Sequence, residues 1–460
     1  MGAELDRDTK PERPVRLASF VSDKDSISTT SSPKEPDAAV VAVAPSALLD
    51  SAMGAASAIT LSELEGLAFA NNPTLRQLEA STRKAAGYRN QVGLRLNPIV
   101  GYQGVQLADR GTDQHTAFIE QQIVTANKLA LNRQVLNAAT KAQLWELETQ
   151  RYRIQTDIRM KFYEALANQN RVTLIDDFQQ LASKGVKLAE LRKEAKEGSL
   201  IEVLQSKILL SEVELSRRQA EVAYAANWRE LAAIVGVPQL SPSSLSGDLV
   251  STLEPVDWAS LGATLLSDSP EYKVALTRVQ QSKANLQRQG VQSIPNWTVQ
   301  LGAGKDNGTD SGMINLQVGA PIPVFNQNQG NIEAAKADYC RALAEVQRLE
   351  NSIQARLAAI SQDFDSSRAA VETYEAEILP DAKKTLELAE MAYVAGEFSF
   401  LEVFVVRKTY FESKLQYLTA QSQLAQAGAK ATGFLLTGAL DPTNDQSGDD
   451  SLRGLTTSQQ

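Results

Sequence analysis

Cysteine and histidine are almost missing from this chain of 460 residues: Cys340 and His115 stand alone. One cysteine excludes an intrachain disulfide and any multi-Cys metal site. One histidine removes the commonest general base and the commonest metal ligand. The five Met residues are scattered, so a methionine metal relay is not expected. No run of about 18 apolar residues occurs, which excludes a transmembrane helix. Lys and Arg number 46 against 55 Asp and Glu, and no local Lys/Arg cluster stands out. A nucleic-acid backbone is therefore not the expected partner. No nucleophile–base pair, phosphate loop or ligand cluster is present, so neither an enzyme nor a cofactor or metal site is expected. The opening residues, MGAELDRDTKPERP, lack the basic n-region and apolar h-region of a secretory signal, an absence that counts against export.

What is present is enough apolar residue, 43% of the chain, for a sizeable folded body. Length alone predicts two to four ordinary domains. Residues 1–57 are rich in Ser, Pro, Ala, Asp and Lys and read as a disordered tail. Residues 441–460 read as a second tail. Between them one unit is written twice, over 58–250 and 251–440. Asn72-Pro73 opens a helical stretch ending at Asn97-Pro98, and Ser269-Pro270 opens another ending at Ile294-Pro295. Both proline intervals are 25 residues. Glu202 and Glu402, each followed by Val, stand 200 residues apart, close to the 197 separating Pro73 from Pro270. A period of this kind marks duplication and sets the fold class.

In each unit a β-hairpin (98–124 and 295–321) is followed by a long helical hairpin (131–235 and 331–435). Trp297, Val299, Leu301 and Ala303 alternate with polar or small residues, as do Ile314, Leu316 and Val318. Period two with one apolar face predicts half-buried strands. Residues 304–312, GKDNGTDSG, read as the hairpin loop. The first unit repeats this more weakly over 99–107 and 116–124, around a loop with Asp109, Gly111, Asp113 and His115. Runs of about nine residues suit tilted strands crossing a bilayer, although a pair of surface hairpins in a soluble protein reads equally well from this pattern alone.

From 131 to 195 there is no Pro. Leu144, Leu147, Ile154, Ile158, Phe162, Leu166, Ile175, Phe178 and Leu181 recur at helical spacing. Some 65 residues would span roughly 95 Å. Pro380 is expected to kink or break the equivalent helix of the second unit. Cys340, in an Ala-rich helix, reads as a small packed residue.

The predicted fold is mainly α with a small β part. Four strands leave two open edges, which lipid does not tolerate. Closure must come from other copies, and three copies give twelve strands. Long helical hairpins lying side by side form a hollow cylinder end to end with that barrel. The geometry predicts a conduit for solutes. A soluble coiled-coil scaffold, or a periplasmic adaptor, is the alternative reading.

The residues that carry a family resemblance are Asn72-Pro73, Asn97-Pro98, the Gly…Glu-Val elements around 198–203 and 396–403, and above all the stretch VGAPIPVFNQNQGNI over 318–332. In these the chain resembles the outer-membrane factor family of TolC-like efflux channels, and within it the heavy-metal CzcC/CusC-like branch. The resemblance implies a homotrimer with a twelve-stranded barrel in the cell outer membrane and a periplasmic α-barrel. It further implies docking to a periplasmic adaptor (a membrane fusion protein) and, through it, an inner-membrane efflux pump. Gly396 and Glu402 match the family's spacing between a tip glycine and an acid that narrows the periplasmic aperture. Gly198 and Glu202 are only four apart. Val405 stands where a second acid is common, so a less acidic aperture is expected. The N-terminal tail has no Cys to carry a lipid.

The candidate sites follow. Glu402 and Glu202 are the aperture acids, each with a plain alternative as a solvated acid favoured near a helix start. Gly198 and Gly396 are expected as turn glycines permitting φ > 0. With Phe398 and Ser399 they are also the helix-tip adaptor contacts. Ile99, Tyr102, Val105, Ile119, Ile123, Trp297, Val299, Leu301, Ile314, Leu316 and Val318 are the membrane-strand residues. Trp297 and Tyr102 read either as membrane-interface aromatics or as packing between protomers.

Overall fold

The computed structural model describes residues 58–108, 111–249 and 255–445. The expected N-terminal tail, most of the C-terminal one and Asp109 of the first hairpin loop lie outside the described residues.

In chain order the elements are β1 (Ile59–Thr60), α1 (Leu61–Asn71), α2 (Pro73–Gln91), β2 (Ile99–Val105), β3 (Gln114–Ile123), α3 (Lys128–Glu194), α4 (Leu200–Val235) and β4 (Leu245–Ser246). Then come α5 (Trp258–Asp268), α6 (Pro270–Gly290), β5 (Trp297–Asp306), β6 (Ser311–Gly319), α7 (Gln329–Thr373), a π-helical turn (Tyr374–Ile378), α8 (Leu379–Val394) and α9 (Phe400–Thr432). The order short helix, helix, two strands, long helix, helix thus occurs twice. The short helices α1 and α5, and the two-residue parallel pairing of β1 with β4, were not legible beforehand.

Local chemistry sets the element ends. Asn72 caps α2 by accepting from the Thr74 backbone N–H at 2.9 Å, with Pro73 in the first turn, where a missing N–H costs nothing. Its Nδ2 also donates to Ile234 O at 2.7 Å, which pins the start of α2 to the end of α4. Gly236 closes α4 at φ +82°, and a Cβ there would lie 2.7 Å from Asn71 O. Only glycine meets both conditions. Pro380 does not end the helical path, although the α-helix gives way to a π turn just before it. The chain stays helical through it, and the π turn just before it absorbs the missing donor, with Leu379 N–H reaching Tyr374 O.

The helices bury several apolar clusters between them. Trp228, Phe162, Leu64, Ile158 and Leu231 form the largest, between α1, α3 and α4. Ile175, Phe178, Leu209, Val213 and Phe411 join the first helical hairpin to α9. Leu265, Leu349, Ile353 and Ile360 hold α5 on α7. Beyond α9 the chain folds back onto α3, where Asp157 Oδ2 accepts from Gly438 N–H (3.0 Å) and Ala439 N–H (2.7 Å). Leu144, at the start of the expected apolar stripe, is half exposed instead.

The four longer strands form one antiparallel sheet in the order β2-β3-β5-β6. The two expected hairpins are joined through β3 and β5, with Ile119 opposite Leu301 and Ala117 opposite Ala303. The loop of the second hairpin is tighter than expected. Asp306 pairs with Ser311, leaving only 307–310 as the turn. There Asp310 takes φ +51° and Asp306 Oδ1 accepts from Gly308 N–H at 2.8 Å. His115, expected in a loop, lies inside β3 opposite Gly104 and Lys305, because pairing begins at Gln114. Cys340 is exposed on α7 rather than packed.

Candidate functional site

Registering the strands sorts the sheet into two faces. Val100 and Tyr102 share one face with Ile119 and Ile123, with Trp297, Val299 and Leu301, and with Ile314, Leu316 and Val318. The other face carries Gln103, Thr116, Glu120, Gln122, Thr298, Gln300, Asn315 and Gln317. Ile99 and Val105, grouped beforehand with the apolar set, lie on this second, polar face. In β2 apolar residues occupy both parities, so alternation alone did not separate them.

Nothing in the described chain covers the apolar face. No residue of these four strands belongs to a buried apolar cluster. Val100 is 77% exposed and Ile314 79%. An uncovered apolar sheet of this extent exceeds what water-facing sheets show and marks an interaction surface. The outer strands β2 and β6 have no partner on their free sides.

His115 is held on both ring nitrogens, Nδ1 by the Tyr102 hydroxyl and Nε2 by Asp113 Oδ2 at 2.6 Å. Among the described residues no group of three or more His, Cys, Asp or Glu gathers in a metal-holding arrangement.

Where sheet meets helices, two cations are fully buried. Lys128 donates to Ile294 O and to Asn296 Oδ1, and Arg288 donates to Asn132 Oδ1 at 2.5 Å and Gln292 Oε1 at 2.7 Å. Burial pushes the Arg288 guanidinium down to about 10, and burial with the Arg288 charge lowers Lys128. These bonds run between the start of α3 and the α6–β5 connection, so they hold the two units in register at the base of the sheet.

The far ends of the helical hairpins match closely. At the first tip Lys196 N–H donates to Lys193 O and Glu197 N–H to Arg192 O. At the second, Gly396 N–H donates to Tyr393 O and Glu397 N–H to Ala392 O. Both are Schellman closures. The position in left-handed conformation is Gly396 (φ +78°) in one and Lys196 (φ +61°) in the other. Gly198 is therefore not the turn glycine it was expected to be. A Cβ on it would lie 3.0 Å from Arg192 Cβ, so close approach explains the glycine. Measured from the left-handed residue, Glu202 and Glu402 both come six later, and the mismatch seen in the glycine spacing disappears.

Ser199 and Ser399 cap α4 and α9. Glu402 completes a capping box, accepting from Ser399 N–H at 2.7 Å and from its hydroxyl at 2.8 Å. Those bonds hold its carboxyl below the ordinary Glu range. Phe398 lines an open groove of about 540 Å³ with Leu388, Met391 and Val406. Ile201, Met391 and Val394 are exposed beside the turns.

Sequence reasoning missed what joins the tips. Arg192 donates to the Tyr393 hydroxyl at 2.6 Å and lies over its ring. Arg407 donates twice to Glu390, and Phe178 stacks on Phe411. None of these pairs carries a sequence signature, since each partner sits in the other half of the chain or across a hairpin.

Comparison with known proteins accords with this architecture. Residues 261–430 match the family described as Outer membrane efflux protein. The cobalt-zinc-cadmium resistance protein CzcC of Cupriavidus metallidurans is 25% identical over 274 residues, 60% of this chain. The match spans 65% of that relative's length, a little under two thirds. Among solved structures, VceC of Vibrio cholerae has a TM-score of 0.67 at 18% identity, covering 82% of this chain and 96% of that one. CusC has a TM-score of 0.68 at 15% identity, covering 82% and 92%. Residues 261–430 thus resemble the outer membrane efflux protein family, and the described part of the chain carries the fold of the solved outer-membrane channels.

Proposed function

We propose that the chain is one protomer of a trimeric outer-membrane exit duct that passively conducts solutes delivered by an inner-membrane pump and a periplasmic adaptor. The observation that carries this reading is the four-stranded sheet with two open edges and one uncovered apolar face. Its strands of seven to ten residues suit a tilted bilayer crossing. Lipid removes water from unpaired N–H and C=O groups at several kcal/mol each, so β2 of one copy closes on β6 of the next. Three copies give twelve strands with the Gln- and Thr-rich face inward, around a wet lumen.

The long helical hairpins start at the base of the sheet and continue the conduit into the periplasm. Passage needs only a continuous aqueous path, so no catalysis and no resident cofactor enters. At the distal tips Glu202 and Glu402 form an acidic constriction, and Gly198, Gly396, Phe398 and Ser399 offer the adaptor contact. The similarity to CzcC supports divalent heavy-metal cations as cargo, with drugs as the other class.

The test is conductance of the purified protein in planar bilayers. Stepwise channels are expected, and Glu402→Ala should raise their conductance. A protein that stays monomeric in buffer and gives no channels contradicts the duct, whereas channels unaffected by Glu402→Ala remove only the gate.

A further inference from the structure

One charge pattern is left over once the duct is described. Residues 80–98, 125–145 and 272–296 carry eleven Lys and Arg and not one Asp or Glu. At the average acid content of this chain about eight acids would fall in those 65 residues. The protein as a whole is acidic, with net charge −9. In sequence the three segments are far apart, which is why no basic cluster showed there. The fold brings all of them to one level. They are the end of α2 with the linker into β2, the start of α3, and α6 with the linker into β5: the helix ends that abut the base of the sheet.

Contacts between the segments fix that level. Arg133 Nη2 donates to Gly93 O at 2.8 Å, and Arg89 bonds Asn137. Lys141 and Lys283 line one open groove between α3 and α6, with Gln134, Asn137, Gln280 and Gln287 as its polar walls. Arg83, Arg95, Lys141 and Lys283 meet no carboxylate among the described residues, and Arg83, Arg95, Arg133 and Lys283 are exposed. The fourth connection, at the start of α7, is mixed, with Glu333, Lys336, Asp338 and Arg341, and adds no net charge.

Depth decides what such a belt meets. At 1.5 Å per helical residue, Arg133 lies about 8 Å from the start of α3, and Lys283 and Arg83 about 10–12 Å from the ends of their helices. Arg95 precedes the first strand residue by four positions. Exposed Leu94 and Leu96 flank Arg95 in the linker into β2, and exposed Ile322 and Phe325 lie in the linker after β6. The order apolar strand face, apolar linkers, then cations without acids follows the order hydrocarbon, interface, headgroup of one leaflet.

We infer that this belt is a binding site for the phosphate headgroups of anionic phospholipid in the periplasmic leaflet, anchoring the duct at a fixed depth. The inference rests on the outer-membrane reading above. Its chemistry is charge pairing with phosphate, reinforced by the amide-lined groove.

The test reconstitutes the full-length protein in vesicles of phosphatidylcholine alone and in vesicles that are roughly a third phosphatidylglycerol. The midpoint for heat-dissociation of the oligomer is read in each. The wild-type midpoint is expected to rise by a few degrees with the anionic lipid, the size of shift that ligand linkage gives. High salt should abolish the rise, as should the triple variant Arg83→Gln, Arg95→Gln, Lys283→Gln. An equal rise in the variant, or none in the wild type, overturns the belt. So does a variant with altered ion selectivity and unchanged lipid dependence, which would put these cations in the lumen. Insertion into the neutral vesicles reports separately on the outer-membrane reading: wild type that inserts without responding to the anionic lipid sinks the belt alone, and wild type that does not insert sinks both.

Discussion

The helical body and the four-stranded sheet obey different rules within one chain. The body closes on itself, with Trp228, Phe162, Phe364 and Leu136 buried almost completely. The sheet closes on nothing, and most of its large apolar residues face outward on one side, with Ile99, Val105 and Phe118 on the other. The difference shows that the body is stabilised by the chain's own packing, whereas the sheet depends on what surrounds it. Under the proposed function, lipid and sister copies stand in for a core.

The largest expected effect therefore separates the two. Trp228→Ala empties a site 1% exposed and removes an N–H donor from Leu240 O, so it should cost about 3–5 kcal/mol of body stability. Leu316→Ala, on the open face, should leave denaturant unfolding of the body unchanged within about 0.5 kcal/mol. Equal costs would erase the distinction. Next in size, Leu316→Arg should oppose insertion by about 2–4 kcal/mol near mid-bilayer, read by folding into vesicles, while the body's melt stays put. Third, Gly236→Ala forces a Cβ against Asn71 O at positive φ and should destabilise by more than about 1 kcal/mol, seen as a lowered urea midpoint.

The smallest effect concerns pH, where the body and its distal tip respond in opposite senses. Burial raises the carboxyls of Asp157 and Glu146. A raised folded value means that their protonated forms favour the fold. That contribution is fully present below the unfolded value, near 4, and is lost as pH rises through the folded value. Glu402 is lowered by its bonds to Ser399, so its contribution is present above the ordinary Glu value and is lost as pH falls through the folded one. The protection of amides against exchange in the first turn of α9, relative to their intrinsic rates, should therefore fall between pH 5 and 3, and Glu402→Ala should remove that change. A pH-independent turn in the wild type would count against the capping box.

Much of this architecture could be read from residue order. The recurring order of elements, the two helical hairpins and the four strands follow from proline spacing, apolar periodicity and period-two alternation, all local or repeated signals. What was missed depends on contacts between distant segments. Alternation could not assign Ile99 and Val105, because only pairing with β3 decides which parity of β2 faces the apolar side. Glycine spacing misread the first tip, because Lys196 accepts the left-handed conformation that Gly396 takes at the second. Cys340 is exposed, as are Ala334, Ala337 and Ala344 near it, because an Ala-rich stretch does not by itself say which helix face packs. The Arg192–Tyr393 and Arg407–Glu390 pairs, and the basic belt, join residues whose neighbours in sequence say nothing of one another.

The central claim is that β2 of one copy completes its hydrogen bonds on β6 of another. In a Cys340→Ala background, single cysteines along β2 from position 100 to 103 would each be paired with Leu316→Cys and oxidised in membranes. The account predicts intermolecular cross-links for a subset of positions, with a ladder that ends at the trimer. A purely monomeric product at every position would contradict it.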